Sequence, residues 1–120
     1  MGGHRDLLVW QRAKGLVKQV YEVTAFFPRQ EIYGLVAQMR RAAVSVPSNI
    51  AEGASRNSAG EFRQFIGNAR GSLAELETQV EIAQDLGYLP EDTAKKMLAE
   101  IDEISRMLAG LRGWSERVAS

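Results

Sequence analysis

The sequence predicts an all-α protein, an antiparallel up-down-up-down four-helix bundle. Apolar residues recur at steps of three and four through four separate stretches, the spacing that lines side chains along one face of a helix. Turn-forming residues break the chain between them, at Phe27-Pro28, Asn57-Ser58-Ala59-Gly60 and Gly87-Tyr88-Leu89-Pro90. No β pattern competes, and 120 residues suffice for one continuous core. Four helices of about 25 residues, each about 37 Å long and joined by short loops, pack side by side in alternating directions.

The first helix is expected over residues 6–26, with Asp6 as its cap and Val9, Ala13, Leu16, Val20, Val23 and Phe27 as its face. Phe27-Pro28 ends it, because a residue before proline is pushed out of helical geometry. The second is expected over 30–55, beginning near Arg29–Glu31, with Ile32, Leu35, Met39, Ala42, Val46 and Ile50 inward. Pro47 falls inside it, and an interior proline removes one hydrogen bond and costs about 3 kcal/mol. Either the helix kinks there, or it stops at Val46 and restarts with Asn49 and Glu52 as a capping box. The apolar phase survives the proline, which favours the kink.

The third helix is expected over 59–86, opened by a Ser58/Glu61 capping box and closed by Gly87. Phe62, Ile66, Ala69, Leu73, Leu76, Val80 and Ala83 alternate steps of four and three, a heptad seam suited to near-parallel packing. Gly67 and Gly71 lie within it, each costing roughly 0.5–1 kcal/mol against alanine. Close approach of another helix, inside the bundle or across a subunit contact, would explain them; drift at tolerant surface positions is the alternative. The fourth helix is expected over 91–117, with Glu91 and Asp92 at the positive end of its dipole. Its seam is Ala94, Met97, Ile101, Ile104, Leu108, Leu111 and Ser115.

Reactive chemistry is hard to assemble from these residues. There is no cysteine, and His4 is the single histidine, so neither a thiolate site nor the Glu-x-x-His pairs of a di-metal bundle can form. Glu75, Glu77 and Glu81 read as a solvated acidic face rather than metal ligands. Ser45, Ser48 and Ser72 have no recognisable general base. The expectation is a non-enzyme without cofactor. No apolar run nears the roughly 18 residues of a membrane span, and the N-terminus lacks a signal-peptide layout, so a cytoplasmic location is expected.

The most unusual polar run is Arg40-Arg41-Ala42-Ala43-Val44-Ser45-Val46-Pro47-Ser48-Asn49-Ile50-Ala51-Glu52-Gly53. Asn49 and Glu52 could bond backbone groups freed by Pro47, and Arg40 and Arg41 could pair with Glu75 or Glu77. A buried polar clamp at the kink and a direct ligand or RNA contact are both open for this cluster of Arg40, Arg41, Asn49, Glu52 and Glu75.

These residues carry a resemblance. With Leu7-Leu8-Val9-Trp10-Gln11-Arg12-Ala13, Glu61-Phe62-Arg63-Gln64-Phe65 and Ala69-Arg70-Gly71-Ser72-Leu73-Ala74-Glu75-Leu76-Glu77-Thr78-Gln79, the run resembles a bacterial four-helix-bundle family. That family is named for proteins encoded within intervening sequences of 23S ribosomal RNA genes. The likeness spans residues 6–89, the fourth helix matching in pattern more than in letters. It implies a ring-shaped homopentamer without established enzymatic activity. It also implies kinship with the accessory variability protein of diversity-generating retroelements, a basic pentamer that binds nucleic acid and a reverse transcriptase. This chain departs from that relative in having a formal net charge of zero.

The charge is nevertheless uneven. Residues 1–60 hold eight Lys/Arg against four Asp/Glu, and residues 61–120 hold seven against eleven. Threaded antiparallel, one end of the bundle collects Arg5, Arg12, Arg56, Arg63, Arg112 and Arg117, and the other collects Glu77, Glu81, Asp85, Glu91, Asp92 and Glu100. A ring of parallel protomers would then carry a basic rim able to face a polyanion. A second apolar stripe, Trp10, Val17 and Tyr21 on the first helix and Met107, Trp114 and Val118 on the fourth, fits either subunit contact or a wide core. Trp10, Tyr21, Gly67, Gly71 and Trp114 are the candidate subunit contacts. The expected function is a homo-oligomeric scaffold binding RNA or a protein–RNA complex, with a protein-binding platform free of nucleic acid as the alternative.

Overall fold

A computed structural model describes residues 3–119, and the side chains of residues 3–111. Among these residues lie four α-helices and no strand: α1 Leu8–Thr24, α2 Leu35–Ala54, α3 Ala59–Asp85 and α4 Glu91–Ala119. Consecutive helices pack on one another and α1 also meets α4, enclosing one core in a body 49 × 24 × 20 Å. The direction of packing is visible between α2 and α3. Arg41 meets Glu75, Ser45 meets Ser72, and Gly53 meets Phe65, so one helix ascends as the other descends.

The apolar seams supply that core. Val9, Ala13, Leu16 and Val20 of α1, Met39, Ala42, Val46 and Ile50 of α2, all seven seam residues of α3, and Ala94, Met97, Ile101, Ile104 and Leu108 of α4 are buried. Each fully buried Leu or Ile contributes about 1.5–3 kcal/mol. The hydroxyl of buried Thr24 donates to the Val20 carbonyl at 2.7 Å, so its polar atom does not go unpaired at the end of α1.

Both N-terminal helices start later than the sequence suggests. Asp6 sits in a short 3₁₀ turn, His4–Asp6, and Leu7 occupies the N-cap of α1 without a side-chain cap bond. The chain forms a second such turn at Arg29–Glu31 and enters α2 only after Gly34. There Glu31 Oε1 accepts the Leu35 N–H at 3.2 Å, capping α2 from upstream. Ile32 therefore precedes the helix and is 52% exposed instead of heading its buried face.

Pro47 lies inside α2, buried, and the helix continues through it. Asn49 and Glu52 do not cap a restarted helix. At α3 the Ser58 hydroxyl oxygen accepts the Glu61 N–H at 3.1 Å, and the hydroxyl is also 3.1 Å from the Glu61 carboxylate. At its far end Gly87 takes φ +80°, with the Gly87 N–H on the Gln84 carbonyl and the Tyr88 N–H on the Ala83 carbonyl, both 2.9 Å. This is a Schellman closure, which favours glycine at the left-handed position. No helix among the described residues is long and apolar enough to cross a membrane.

Candidate interaction surfaces

The polar run of α2 forms a clamp across to α3. The Asn49 amide donates to the Ser45 carbonyl at 2.8 Å and to the Ser45 hydroxyl at 2.9 Å; the Ser45 and Ser72 hydroxyls are 2.8 Å apart; and the Ser72 hydroxyl lies 3.2 Å from the Asn68 carbonyl. Donors can run one way along this chain, from Asn49 through Ser45 and Ser72 to the α3 backbone, leaving no hydroxyl without a partner. Ser48 donates to the Val44 carbonyl at 2.8 Å. Glu52 takes no part. Its carboxylate turns one helical step onward to Arg56 at 3.1 Å, so the expectation that it serves the proline gap is not met.

Beside the clamp is an open depression of about 500 Å³, lined by His4, Ser48, Asn49, Glu52 and Phe65 among others. Next to it α2 and α3 approach closely at Gly53. A Cβ there would lie 2.9 Å from Phe65 Cβ and 3.4 Å from the Phe62 carbonyl oxygen. Close approach within the protomer is thus the task of Gly53. Gly67 and Gly71 are exposed, and a Cβ at either would meet nothing within 4 Å.

The six arginines expected at one end have different fates. Arg5 is exposed and Arg63 half-buried, and neither guanidinium has an acidic partner among the described residues. Arg56 lies over the Phe65 ring, 4.8 Å from its centroid, while holding Glu52. Arg12 faces sideways into α4. Its Nε donates to Glu100 Oε2 at 3.1 Å, its Nη2 donates to Glu100 Oε1, and Nη1 lies 3.8 Å from Glu103. The bond to Glu100 raises the Arg12 pKa, outweighing the opposing effect of burial. Arg12 therefore belongs to the α1–α4 seam instead of a free rim, and Glu100 is its partner instead of an acidic-end residue. The side chains of Arg112, Arg117 and Trp114 lie outside the described residues.

Arg40 and Arg41 diverge. Arg41 reaches Glu75 at 3.5 Å with most of its side chain in water, and Gln79 also donates to that carboxylate, at 3.1 Å. Arg40 turns to α1, donating to the Thr24 hydroxyl at 3.0 Å and lying 4.4 Å from the Tyr21 ring centroid. Trp10 is partly buried against the core, with His4 at its edge and Lys14 over its face. Tyr21 is 43% exposed.

One surface escaped sequence reasoning. Between α1 and α2 runs an open groove of about 540 Å³, lined by Tyr21, Ile32, Tyr33, Val44, Arg40 and Arg41 among others. Tyr33 is 94% exposed, and helical periodicity gives no notice of a residue in the turn before a helix. Among the described residues no group of His, Asp and Glu is arranged to hold a metal ion.

Residues 5–110 match the family model described as 23S rRNA-intervening sequence protein. The chain belongs to that family. A solved structure similar to this 23S rRNA-intervening sequence family member is the crystal structure of a protein with unknown function from the S23 ribosomal protein family of Bacteroides thetaiotaomicron VPI-5482. It superposes with a TM-score of 0.81 at 18% identity, covering 88% of this chain and 98% of that one, and so shares the fold. Comparison with curated proteins finds no match.

Proposed function

We propose that this member of the 23S rRNA-intervening sequence family is a non-catalytic, homo-oligomeric scaffold in the cytoplasm that binds RNA or a protein–RNA complex. In this reading the protomers form a homopentameric ring related to the accessory variability protein of diversity-generating retroelements. The observation that carries it is the end of the molecule where α1 begins, α2 ends and α3 begins. Arg5 and Arg63 stand there without acidic partners among the described residues, beside Arg56 on the Phe65 ring. Arginines without acidic partners suit a phosphate backbone. The non-catalytic part is supported by the hydroxyls of Ser45 and Ser72, which are engaged with each other and with an amide rather than with a base.

The test is RNA retention in a gel shift at low and high salt, with wild type and an Arg56→Glu/Arg63→Glu/Arg117→Glu variant. Ionic binding weakens steeply with salt, and the triple reversal is expected to abolish it. Retention unchanged by the reversal at low salt eliminates this end as the contact. No retention at any salt favours the alternative, a protein-binding platform, for which the exposed α1–α2 groove speaks. Sequencing RNA recovered with the protein from its own cells identifies the partner.

A further inference from the structure

We infer that the groove between α1 and α2 receives the outer face of α3 from a second copy of this chain. The inference rests on the homo-oligomeric reading and assigns its contact surfaces. Large apolar side chains line the groove in the open: Tyr33 is 94% exposed, Ile32 52% and Val44 41%. Contiguous apolar surface of this kind marks an interaction site on a soluble protein. Arg41 stands at its edge with 68% of its side chain exposed and only a 3.5 Å contact to Glu75.

The outer face of α3 has the complementary character. Gly67, Gly71, Ala74 and Thr78 follow one another at steps of four, three and four, all exposed, and lead to Ile82, 42% exposed. Nothing in the protomer occupies the space a Cβ would take at Gly67 or Gly71. Glu77 and Glu81 flank this strip, exposed and without ion-pair partners among the described residues. Large side chains thus meet a flat strip, and the largely exposed Arg41, held only by its 3.5 Å contact to Glu75, meets unpaired carboxylates, as complementary surfaces require. The mostly apolar groove wall fits a helix face better than a polyanion.

Placement along the bundle agrees. The Arg41–Glu75 and Ser45–Ser72 contacts set the lower end of the groove, at Val44, level with Leu73 and Ala74 of α3. The groove therefore overlaps the Ala74–Ile82 part of the strip in height, with Gly71 just beyond its end, and a second copy can sit alongside without an axial offset. Because the two surfaces differ, the contact is head-to-tail, and such contacts close into rings when no axial rise accumulates.

The experiment is native mass spectrometry and sedimentation of the full chain, with circular dichroism to monitor the fold. The variants are Gly71→Gln, Arg41→Glu, Glu77→Arg and the Arg41→Glu/Glu77→Arg combination. The wild type is expected to be oligomeric, each single change to weaken assembly by about tenfold or more, and the combination to recover much of the loss. Gly71→Gln is expected to dissociate the assembly while raising the melting temperature of the monomer, since glutamine is the better helix former. A monomeric wild type overturns the homo-oligomeric reading and this contact with it. An oligomeric wild type whose variants assemble unchanged overturns the contact alone. Loss of RNA retention in Arg41→Glu with assembly intact also overturns it and makes the groove a nucleic-acid surface.

Discussion

Gly53 on α2 and Phe65 on α3 approach so closely that a Cβ on the glycine would stand 2.9 Å from the phenylalanine's own Cβ. A Cβ is fixed to the backbone, so relief requires the helices to part. Gly53→Ala is therefore expected to destabilise the protein by about 1–2 kcal/mol, an overpacking cost of 1–3 kcal/mol partly offset by alanine's helix propensity. Gly15 on α1 has nothing within 4 Å of its Cβ position, and Gly15→Ala should stabilise by about 0.5–1 kcal/mol. Urea denaturation of the two variants should shift the midpoint in opposite directions.

The two-pronged bond between Arg12 and Glu100 ties α1 to α4, and both side chains are about one-third exposed. Solvent screening limits such a pair, and the expected coupling energy is about 1 kcal/mol, falling with added salt. A double-mutant cycle with Arg12→Gln and Glu100→Gln measures it. Since Arg12 is engaged within the protomer, Arg12→Gln is expected to lower stability while leaving RNA retention unaltered.

Helical phase was legible in the sequence because burial repeats every turn, and the seams of α3 and α4 follow it residue by residue through Leu108. The start of α2 was not legible. Ile32 fits the phase of Leu35, but the Glu31 carboxylate and Gly34 define an entrance that periodicity does not report. The glycines show the same limit. Which of Gly53, Gly67 and Gly71 faces a neighbouring backbone depends on the register between helices, not on the composition of one helix. Order along the chain puts Arg12 and Glu100 at opposite ends, whereas their partnership depends on which sides of α1 and α4 face each other.

The chain of hydrogen bonds from Asn49 through Ser45 to Ser72 acts as one coupled network. Ser45→Ala removes the bridging hydroxyl and leaves Asn49 only the Ser45 carbonyl. The expected loss is about 1 kcal/mol, and Ser72→Ala should add little once Ser45 is gone, because neighbours in one network are not additive. Thermal denaturation of the single and double variants tests this. Stability losses without change in RNA retention identify the cluster as a clamp; a loss of retention in stably folded Asn49→Ala identifies it as a contact.

The connection between α3 and α4 carries an alkaline pH dependence. The Tyr88 hydroxyl donates to Glu31 Oε2 at 2.9 Å, and its ring packs 5.3 Å from that of Phe27. That bond, reinforced by partial burial and by the negative charge of Glu31, raises the phenol pKa above its usual 10.0. The unfolded chain releases this proton near pH 10; the folded chain holds it to higher pH. The folded state therefore binds more protons in that interval, and stability falls as pH rises. The contribution is fully present below about pH 10 and is lost as pH climbs through the raised folded value. Tyr88→Phe removes the group that titrates. The difference in denaturation midpoint between wild type and Tyr88→Phe should be constant from neutral pH to about 10 and shrink above it. A difference that stays constant through the alkaline range would show that Tyr88 does not hold its proton through Glu31.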